Sequence, residues 1–277
     1  MVVIADEDAS GMEVSVASLT DTGRVRSANE DAFIVAEFSD TGVKTITDNL
    51  DGHRVGPGGL LLAVADGMGG AKAGEVASRL AIEQLMRRLG APVQKEDLAD
   101  RLSDGLKSAN HAVRHASREN PSWAGMGSTL TAALICQGQA YVGQVGDSRC
   151  YLIHAGEVRQ VTKDQSLVQV LVDIGQMTKE QAAQSPQRNV ILQSLGARDE
   201  IEPAVSVVPL AHDDYLVLTS DYLMQKVSDA EMCEMINRAP MLSAACAQLV
   251  ALANDRGGAD NITVIVANFS ETRIKKQ

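Results

Sequence analysis

Alternating and continuous apolar positions predict a chain that is rich in β-strands. From Glu13, the segment EVSVASL alternates polar and apolar residues, which is typical of a half-buried strand. AFIVAEF (32–38) predicts a second strand, and the unbroken run LLLAVA (60–65) predicts a buried one. Residues 39–59 are rich in Gly, Asp and Thr, so we predict a long hairpin loop or flap there.

Further along the chain, groups of strands alternate with pairs of helices. Helical periodicity and terminal signals predict helices at 71–90, 94–118, within 165–184, near 228–237 and at 241–256. Alternating or apolar runs separated by turn residues predict strands within 128–162, within 205–220 and at 261–269.

This order of elements predicts an α+β protein. Runs of strands separated by helix pairs favour antiparallel sheets with helices packed outside, rather than a doubly wound parallel sheet. Residues 1–12 are acidic and small, so we predict a disordered N-terminal segment. Residues 13–270 are predicted to form a single domain, and 271–277 a C-terminal tail.

Composition and charge narrow the class of protein. The formal charge of −11, without a dense Lys/Arg segment, disfavours a nucleic-acid partner. The same charge is explained either by solubility or by carboxylates that converge on bound cations. Cys136, Cys150, Cys233 and Cys246 form no C-x-x-C pair, which favours buried free thiols in a reducing cytoplasm over a zinc site. The apolar runs are too short for a bilayer and the start lacks a signal peptide, so we expect a cytoplasmic protein without a membrane partner.

Five aspartates lie at the beginnings or ends of predicted strands: Asp31, Asp66, Asp147, Asp221 and Asp260. Turn chemistry explains any one of them. A buried carboxylate is nevertheless costly unless it is paired or binds a metal, and strand ends can converge at one edge of packed sheets. Oxygen ligands of this kind select Mg²⁺ or Mn²⁺. Two such ions would activate water for the hydrolysis of a phosphoester.

Two other features need a decision between a functional and a structural interpretation. Arg26 is the candidate for holding phosphate, because a guanidinium binds phosphate in a bidentate manner; taken alone, it is interpreted as a surface arginine. His111 and His115 have the i, i+4 spacing of a metal pair, but no third ligand is evident and their surroundings are polar. We therefore interpret them as part of a solvated helix face.

Six motifs, in order along the chain, resemble those of the bacterial branch of the protein phosphatase 2C (PPM) family, which are metal-dependent serine/threonine phosphatases. They are GRVRSANED (23–31), ADGMGG (65–70), GMGSTLTA (125–132), VGDSR (145–149), TSD (219–221) and GADNITVIV (258–266). The resemblance extends from about residue 14 to 268. It implies a four-layer αββα sandwich, in which two packed antiparallel sheets are flanked by antiparallel helix pairs.

The resemblance also implies a set of metal ligands for Mn²⁺ or Mg²⁺. Asp66 would bridge two core ions, and the carbonyl of Gly67 would complete one of the two. Asp221 and Asp260 would bind the second ion. Asp147 would serve a third, weaker ion.

The remaining implied roles concern water, phosphate and substrate. Asp31, with Glu30 as a further candidate, would act through metal-bound water, and Arg26 matches the phosphate-binding arginine of bacterial members. Residues 165–195 resemble the flap beside the site. The implied substrates are phosphoserine and phosphothreonine in proteins, and the implied partners are a serine/threonine kinase or its substrates.

The sequence departs from the family pattern at four places. Met68 stands where animal members have His, which marks the bacterial branch, and Gln165 replaces the His of a common D-H-S motif. The connection 39–59 is longer than usual. The motif S-D-G-L-x-D carries Tyr222 in place of Gly, which adds bulk beside a metal ligand, and Gln225 in place of a carboxylate that helps to hold the third ion.

Tyr222 and Gln225 raise a rival hypothesis from another class. The protein would then be a pseudophosphatase, a module that binds phosphoproteins or kinases with weak turnover. The retained aspartates favour the enzyme, because a decaying site is expected to lose its core ligands first.

Overall fold

The computed structural model describes residues 12–70, 73–91 and 97–271. Its strands are β1 (Met12–Asp21), β2 (Asp31–Ser39), β3 (Gly42–Thr45), β4 (Leu50–Arg54), β5 (Leu60–Met68), β6 (Gly127–Ser128), β7 (Leu130–Cys136), β8 (Gln139–Val145), β9 (Arg149–His154), β10 (Glu157–Gln160), β11 (Ala204–Pro209), β12 (Tyr215–Thr219) and β13 (Ile262–Glu271). Its α-helices are α1 (Ala73–Gly90), α2 (Leu98–Glu119), α3 (Leu167–Asp173), α4 (Lys179–Gln184), α5 (Asp221–Lys226), α6 (Asp229–Arg238) and α7 (Leu242–Asp255).

Within the described residues, the strands form two antiparallel sheets. The first sheet has the order β10-β9-β12-β13-β1-β4. The second has the order β11-β8-β7-β5-β2-β3, and the short β6 pairs with the end of β5. The centre of each sheet is formed by the apolar runs that were predicted as strands, β5 in one and β13 in the other.

The two sheets pack face to face, and helices cover both outer faces. One buried cluster lies between the sheets and includes Leu62, Leu218 and Ile265. A second lies between β5 and the pair α1 and α2, and a third lies between β13 and the helices α5 to α7. The arrangement is the predicted four-layer αββα sandwich, so the predicted fold class is confirmed.

The pattern of apolar residues explains why α2 forms and which face it buries. Its N-cap Asp97 accepts a hydrogen bond from the backbone N–H of Ala99, which satisfies one of the free donors of the first turn. Leu102, Leu106 and Val113 recur at helical spacing and are fully buried. They face the second sheet and hold it in place beneath the helix pair.

Because the strands are antiparallel, the ends of some central strands and the starts of their neighbours lie at the same end of the sandwich. Asp31, at the start of β2, is directly opposite Asp66 near the end of β5. In the other sheet, Thr219 at the end of β12 is opposite both Arg149 at the start of β9 and Val264 near the start of β13. The strand ends that carry the predicted aspartates therefore meet.

Several sequence-based expectations need correction or remain open. The predicted loop 39–59 contains β3, which extends the second sheet, and β4, which joins β1 of the first sheet. The helix α5 was not predicted. β1 begins at Met12, inside the segment predicted to be disordered, and residues 1–11 and 272–277 lie outside the described residues. The division into domains stays a prediction.

Two further properties of the described chain bear on the sequence analysis. All four cysteines are buried and form no disulfide, as predicted. In the part of the chain that the structure describes, no helix has both the length and the apolar character needed to cross a membrane.

Candidate functional site

Asp31 is a buried carboxylate at the shared end of the two sheets. Its Oδ2 atom accepts a 2.6 Å hydrogen bond from the hydroxyl of Thr263 on β13, while its Oδ1 atom is buried without a hydrogen-bond partner. Burial and, to a smaller extent, the charges of Asp221 and Asp260 raise the pKa of Asp31 to about 7, against the opposing effect of its hydrogen bonds. A buried carboxylate oxygen without a partner is suited to receive a cation or an ordered water.

Hydrogen bonds to its backbone hold Asp66 in place, and they leave its carboxylate free to bind a ligand. Its N–H donates to the Thr129 hydroxyl at 2.9 Å, and its carbonyl accepts from the Ser128 hydroxyl at 3.0 Å. Burial raises the pKa of Asp66 well above its ordinary value, and nearby negative charges raise it further. Those charges belong to Asp31, Asp221, Asp147 and Asp260.

Gly67 and Glu30 form the tightest part of the site. A Cβ atom on Gly67 would lie 2.1 Å from the carbonyl oxygen of Gly74, so no other residue fits there without moving the backbone. The N–H of Gly67 donates to the carbonyl of Glu30 at 3.2 Å. Oε1 of Glu30 is buried without a partner, and burial raises the pKa of this side chain although Arg26 opposes the effect.

Asp221 and Asp260 are each engaged by a neighbouring side chain. Gln225 donates from Nε2 to Oδ2 of Asp221 at 2.6 Å, and Arg26 donates from Nη2 to Oδ2 of Asp260 at 2.8 Å. Burial and the charge of Asp260 raise the pKa of Asp221 to about 6. Both aspartates lie next to β13, one at the first turn of α5 and the other in the loop before the strand.

Asp147 lies at the same end of the sandwich, in the turn after β8. It is buried, and burial together with the charges of Asp221 and Asp164 raises its pKa to about 8. Arg149 opposes this effect and binds Asp164 through two nitrogens, with Nε–Oδ1 and Nη2–Oδ2 distances of 2.9 and 2.7 Å. The sequence analysis did not identify Asp164, although its partner Arg149 is the last residue of the VGDSR motif (145–149).

Asn261 is a second residue whose importance was not predicted. Its side-chain oxygen accepts from the N–H of Glu30 at 2.8 Å, and its amide donates to the carbonyls of Thr22 and Ala28 at 2.9 and 3.0 Å. Asn261 therefore fixes the loop that carries Arg26 and Glu30 against the start of β13. The available signal was an asparagine directly between Asp260 and the apolar run that begins at Ile262.

The chemistry of these side chains fits a pair of hard divalent cations. The donors are carboxylate and carbonyl oxygens, and two of the carboxylate oxygens are buried without hydrogen-bond partners. The negative charges of the carboxylates repel one another. Among the described residues, no three acidic, histidine or cysteine side chains yet stand close enough to hold an ion. Arg26 and Gln225 each occupy one carboxylate oxygen of Asp260 and Asp221, so we expect these contacts to loosen when an ion binds.

Comparison with known proteins identifies the family. A family model described as protein phosphatase 2C matches residues 45–256. The serine/threonine phosphatase stp of Listeria monocytogenes is 36% identical over 257 residues, which is 92% of this chain and 95% of that protein. The chain belongs to the protein phosphatase 2C family.

Solved structures of protein phosphatase 2C enzymes agree with this assignment. The serine/threonine phosphatase of S. agalactiae superposes with a TM-score of 0.80 at 34% identity, covering 92% of this chain and 98% of that one. The catalytic domain of PstP, solved with two manganese ions, superposes with a TM-score of 0.76 at 34% identity, covering 94% and 99%. The family and the enzyme class predicted from the sequence are confirmed.

Gln165, one of the departures from the protein phosphatase 2C pattern, fastens the predicted flap. Its Oε1 atom accepts from the N–H of Gly146 at 2.8 Å and from Nε2 of Gln193 at 3.0 Å. At the other end of the flap, Leu195 and Ser128 exchange backbone hydrogen bonds of 2.8 and 3.1 Å. Both attachments lie beside predicted ligands, Gly146 next to Asp147 and Ser128 opposite Gly67 in the β5–β6 pair.

Proposed function

We propose that this member of the protein phosphatase 2C family hydrolyses phosphoserine and phosphothreonine in proteins, using Mn²⁺ or Mg²⁺. The observation that carries the proposal is the convergence of aspartates from both sheets at one end of the sandwich. Besides burial, the charges of four other aspartates raise the pKa of Asp66. Such a concentration of negative charge is unfavourable for the fold by itself, and bound cations would neutralise it.

The core ligands in this proposal are Asp66, the carbonyl of Gly67, Asp221 and Asp260. When bound, two divalent cations neutralise phosphoryl oxygens and lower the pKa of a water so that it can attack phosphorus. Asp147 is the ligand proposed for a third ion, which would be the most weakly held because Gln225 supplies no charge. Support comes from the oxygen-only donor set and from the manganese-bound PstP structure.

The other residues are proposed to hold and orient the reactants. Asp31 and Glu30 each present a buried carboxylate oxygen that has no protein partner, and that oxygen can accept a hydrogen bond from a water in the site. Thr263 fixes the orientation of Asp31 through its 2.6 Å hydrogen bond. Arg26 is half-exposed, and its guanidinium would bind the substrate phosphate after leaving Asp260.

The proposed setting is cytoplasmic signalling on phosphorylated proteins, with a serine/threonine kinase or its substrates as partners. The relatives are named serine/threonine phosphatases, which supports phosphoserine and phosphothreonine as the substrate class. Four buried thiols without a disulfide support a reducing compartment. The relatives also support the enzyme over the pseudophosphatase alternative that Tyr222 and Gln225 suggested.

The test is a phosphatase assay with nitrophenyl phosphate and a phosphothreonine peptide. We expect turnover with added Mn²⁺, loss of turnover with a chelator, and recovery when Mn²⁺ is restored in excess. Full activity in the chelator would contradict the metal mechanism. Tight phosphopeptide binding without turnover at any Mn²⁺ concentration would instead establish the pseudophosphatase.

A further inference from the structure

Tyr222 occupies a position between the two ligands proposed for the second core ion. It follows Asp221 in the first turn of α5, and its side chain is buried, with only 5% of the residue exposed. The ring packs in the cluster between β13 and the helices, which includes Leu249 and Ile262. The bulk that the sequence places beside a metal ligand is therefore part of the core.

The hydroxyl of Tyr222 reaches the loop that carries the other ligand. It accepts a 2.8 Å hydrogen bond from the N–H of Ala259, the residue immediately before Asp260. This loop contains Gly257 and Gly258, whose φ angles are +130° and +54°. Because glycine has access to many backbone conformations, such a loop needs fixed contacts to keep one of them.

The opposite side of the same loop is held by backbone contacts. The carbonyl of Gly258 accepts from the N–H groups of Arg24 and Val25 at 2.7 and 3.2 Å. The Tyr222 hydroxyl thus ties the loop to the first turn of α5, whereas Gly258 ties it to the segment that leads to Arg26. Glycine, which the family pattern S-D-G-L-x-D has at this position, could not make the contact from α5.

We propose that Tyr222 is a positioning residue that fixes Asp260 relative to Asp221. Its backbone is continuous with one proposed ligand, and its hydroxyl holds the residue adjacent to the other. The separation of the two carboxylates is thereby restrained before an ion arrives, which lowers the conformational cost of binding. The inference rests on the proposed metal site and extends it to a residue specific to this chain.

The test compares Tyr222→Phe with Tyr215→Phe. Both variants lose only a hydroxyl, and both rings border the same buried cluster, but Tyr215 begins β12 at the opposite end of the sheet. Mn²⁺ affinity is measured from the electron paramagnetic resonance signal of the free ion, without any turnover. We expect Tyr222→Phe to raise the Kd about threefold to tenfold, the change expected for the loss of one neutral hydrogen bond, and Tyr215→Phe to leave it unchanged.

Two further measurements separate the possible failures. Amide hydrogen exchange at Ala259 in the wild-type protein should be slow, and should accelerate in Tyr222→Phe. Equal Kd values in wild type and Tyr222→Phe, or an unprotected Ala259 amide in the wild type, would overturn the positioning role. A wild-type protein that binds no Mn²⁺ would overturn the proposed function itself, which is a different result.

Discussion

The guanidinium of Arg26 lies 2.8 Å from a carboxylate oxygen of Asp260. The residue proposed to bind phosphate is thus paired with a residue proposed to bind metal. The hydrogen bond that Arg26 donates to Asp260 raises the pKa of Arg26, which keeps the guanidinium charged. We therefore expect binding of a cation to Asp260 to be linked to release of Arg26 towards the substrate.

Replacement of Arg26 by alanine should raise the KM for a phosphopeptide about 10- to 100-fold. The physical reason is the loss of a charge-assisted contact of about 1.5–3 kcal/mol, and kcat should change little if that contact serves ground and transition states alike. Arg24→Ala is the matched control, since Arg24 is also exposed and paired, with Asp255. Unchanged KM and kcat in Arg26→Ala would contradict a role in phosphate binding and show that Arg26 is only a surface residue.

Replacement of Asp66 by asparagine should reduce turnover by more than about 100-fold. Loss of a residue that only hydrogen-bonds to a metal ligand typically costs about 10- to 100-fold. The substitution removes a negative ligand from the centre of the acidic cluster. Asp213→Asn is the control, because Asp213 is an exposed loop aspartate at the opposite end of the first sheet. Asparagine also tolerates its φ of +63°. Wild-type turnover in Asp66→Asn would contradict the proposed ligand set.

Replacement of Gln225 by aspartate should lower the Mn²⁺ concentration needed for half-maximal rate. The new carboxylate adds charge beside Asp221, whose own charge already acts on Asp147, and it removes the amide that donates to Asp221 at 2.6 Å. Gln225→Ala removes only the amide, so it separates the release of Asp221 from the gain of a ligand. Superimposable activation curves for wild type and Gln225→Asp would refute the weakened third site and leave the two-ion core untouched.

The stability of the chelator-treated protein should fall as pH rises from about 4 to 8. Burial raises the pKa values of Asp221, Asp31 and Asp147 to about 6, 7 and 8, whereas the ordinary value for aspartate is 3.8. The folded state therefore binds more protons than the unfolded state in this range, so deprotonation favours unfolding. Calorimetric melting at pH 5.5 and 8.5 measures the effect.

The matched variant for the pH experiment is Asp31→Asn. It removes one of the raised groups, so its melting temperature should depend less on pH than that of the wild type. Saturating Mn²⁺ should also diminish the pH effect, since bound cations favour the charged carboxylates. A wild-type melting temperature that rises between pH 5.5 and 8.5 in chelator would contradict the raised pKa values.

Replacement of Gln165 by alanine should loosen the flap at its first attachment. The buried N–H of Gly146 would lose its side-chain acceptor, at a cost of about 1–3 kcal/mol. Hydrogen exchange in residues 166–195 should accelerate. Gln169→Ala is the control, because Gln169 donates only within the helix, to Asp173. Identical exchange in both variants would show that the second attachment, at Leu195, is sufficient.

The sequence predicted the central strands but missed β3, β4 and α5. LLLAVA in β5 is buried on both faces, and this produces an apolar run that is visible without a structure. β3 has four exposed residues, so its pattern carries no burial signal. α5 has six residues, fewer than two helical turns, and therefore too few to show a period.

The site was predictable as a set of residue types, but its pairings were not. Asp31, Asp66 and Asp260 stand out because each adjoins a strand. The contacts of Arg26 with Asp260 and of Asp31 with Thr263 join residues that are more than 230 positions apart. Periodicity and propensity describe neighbours along the chain, so they cannot report such contacts.

The position of β13 has a consequence for how the chain folds during its synthesis. This strand lies between β12 and β1, and within the described sheet no other strand joins them. Until β13 leaves the ribosome, the first sheet can exist only as two separate fragments, β10-β9-β12 and β1-β4. Pairing of Met12 with Glu271 closes a loop of almost the whole chain, which slows folding. A nascent chain that ends before β13 should therefore show no activity towards phosphoproteins. Activity should appear in one step once β13 has been synthesised.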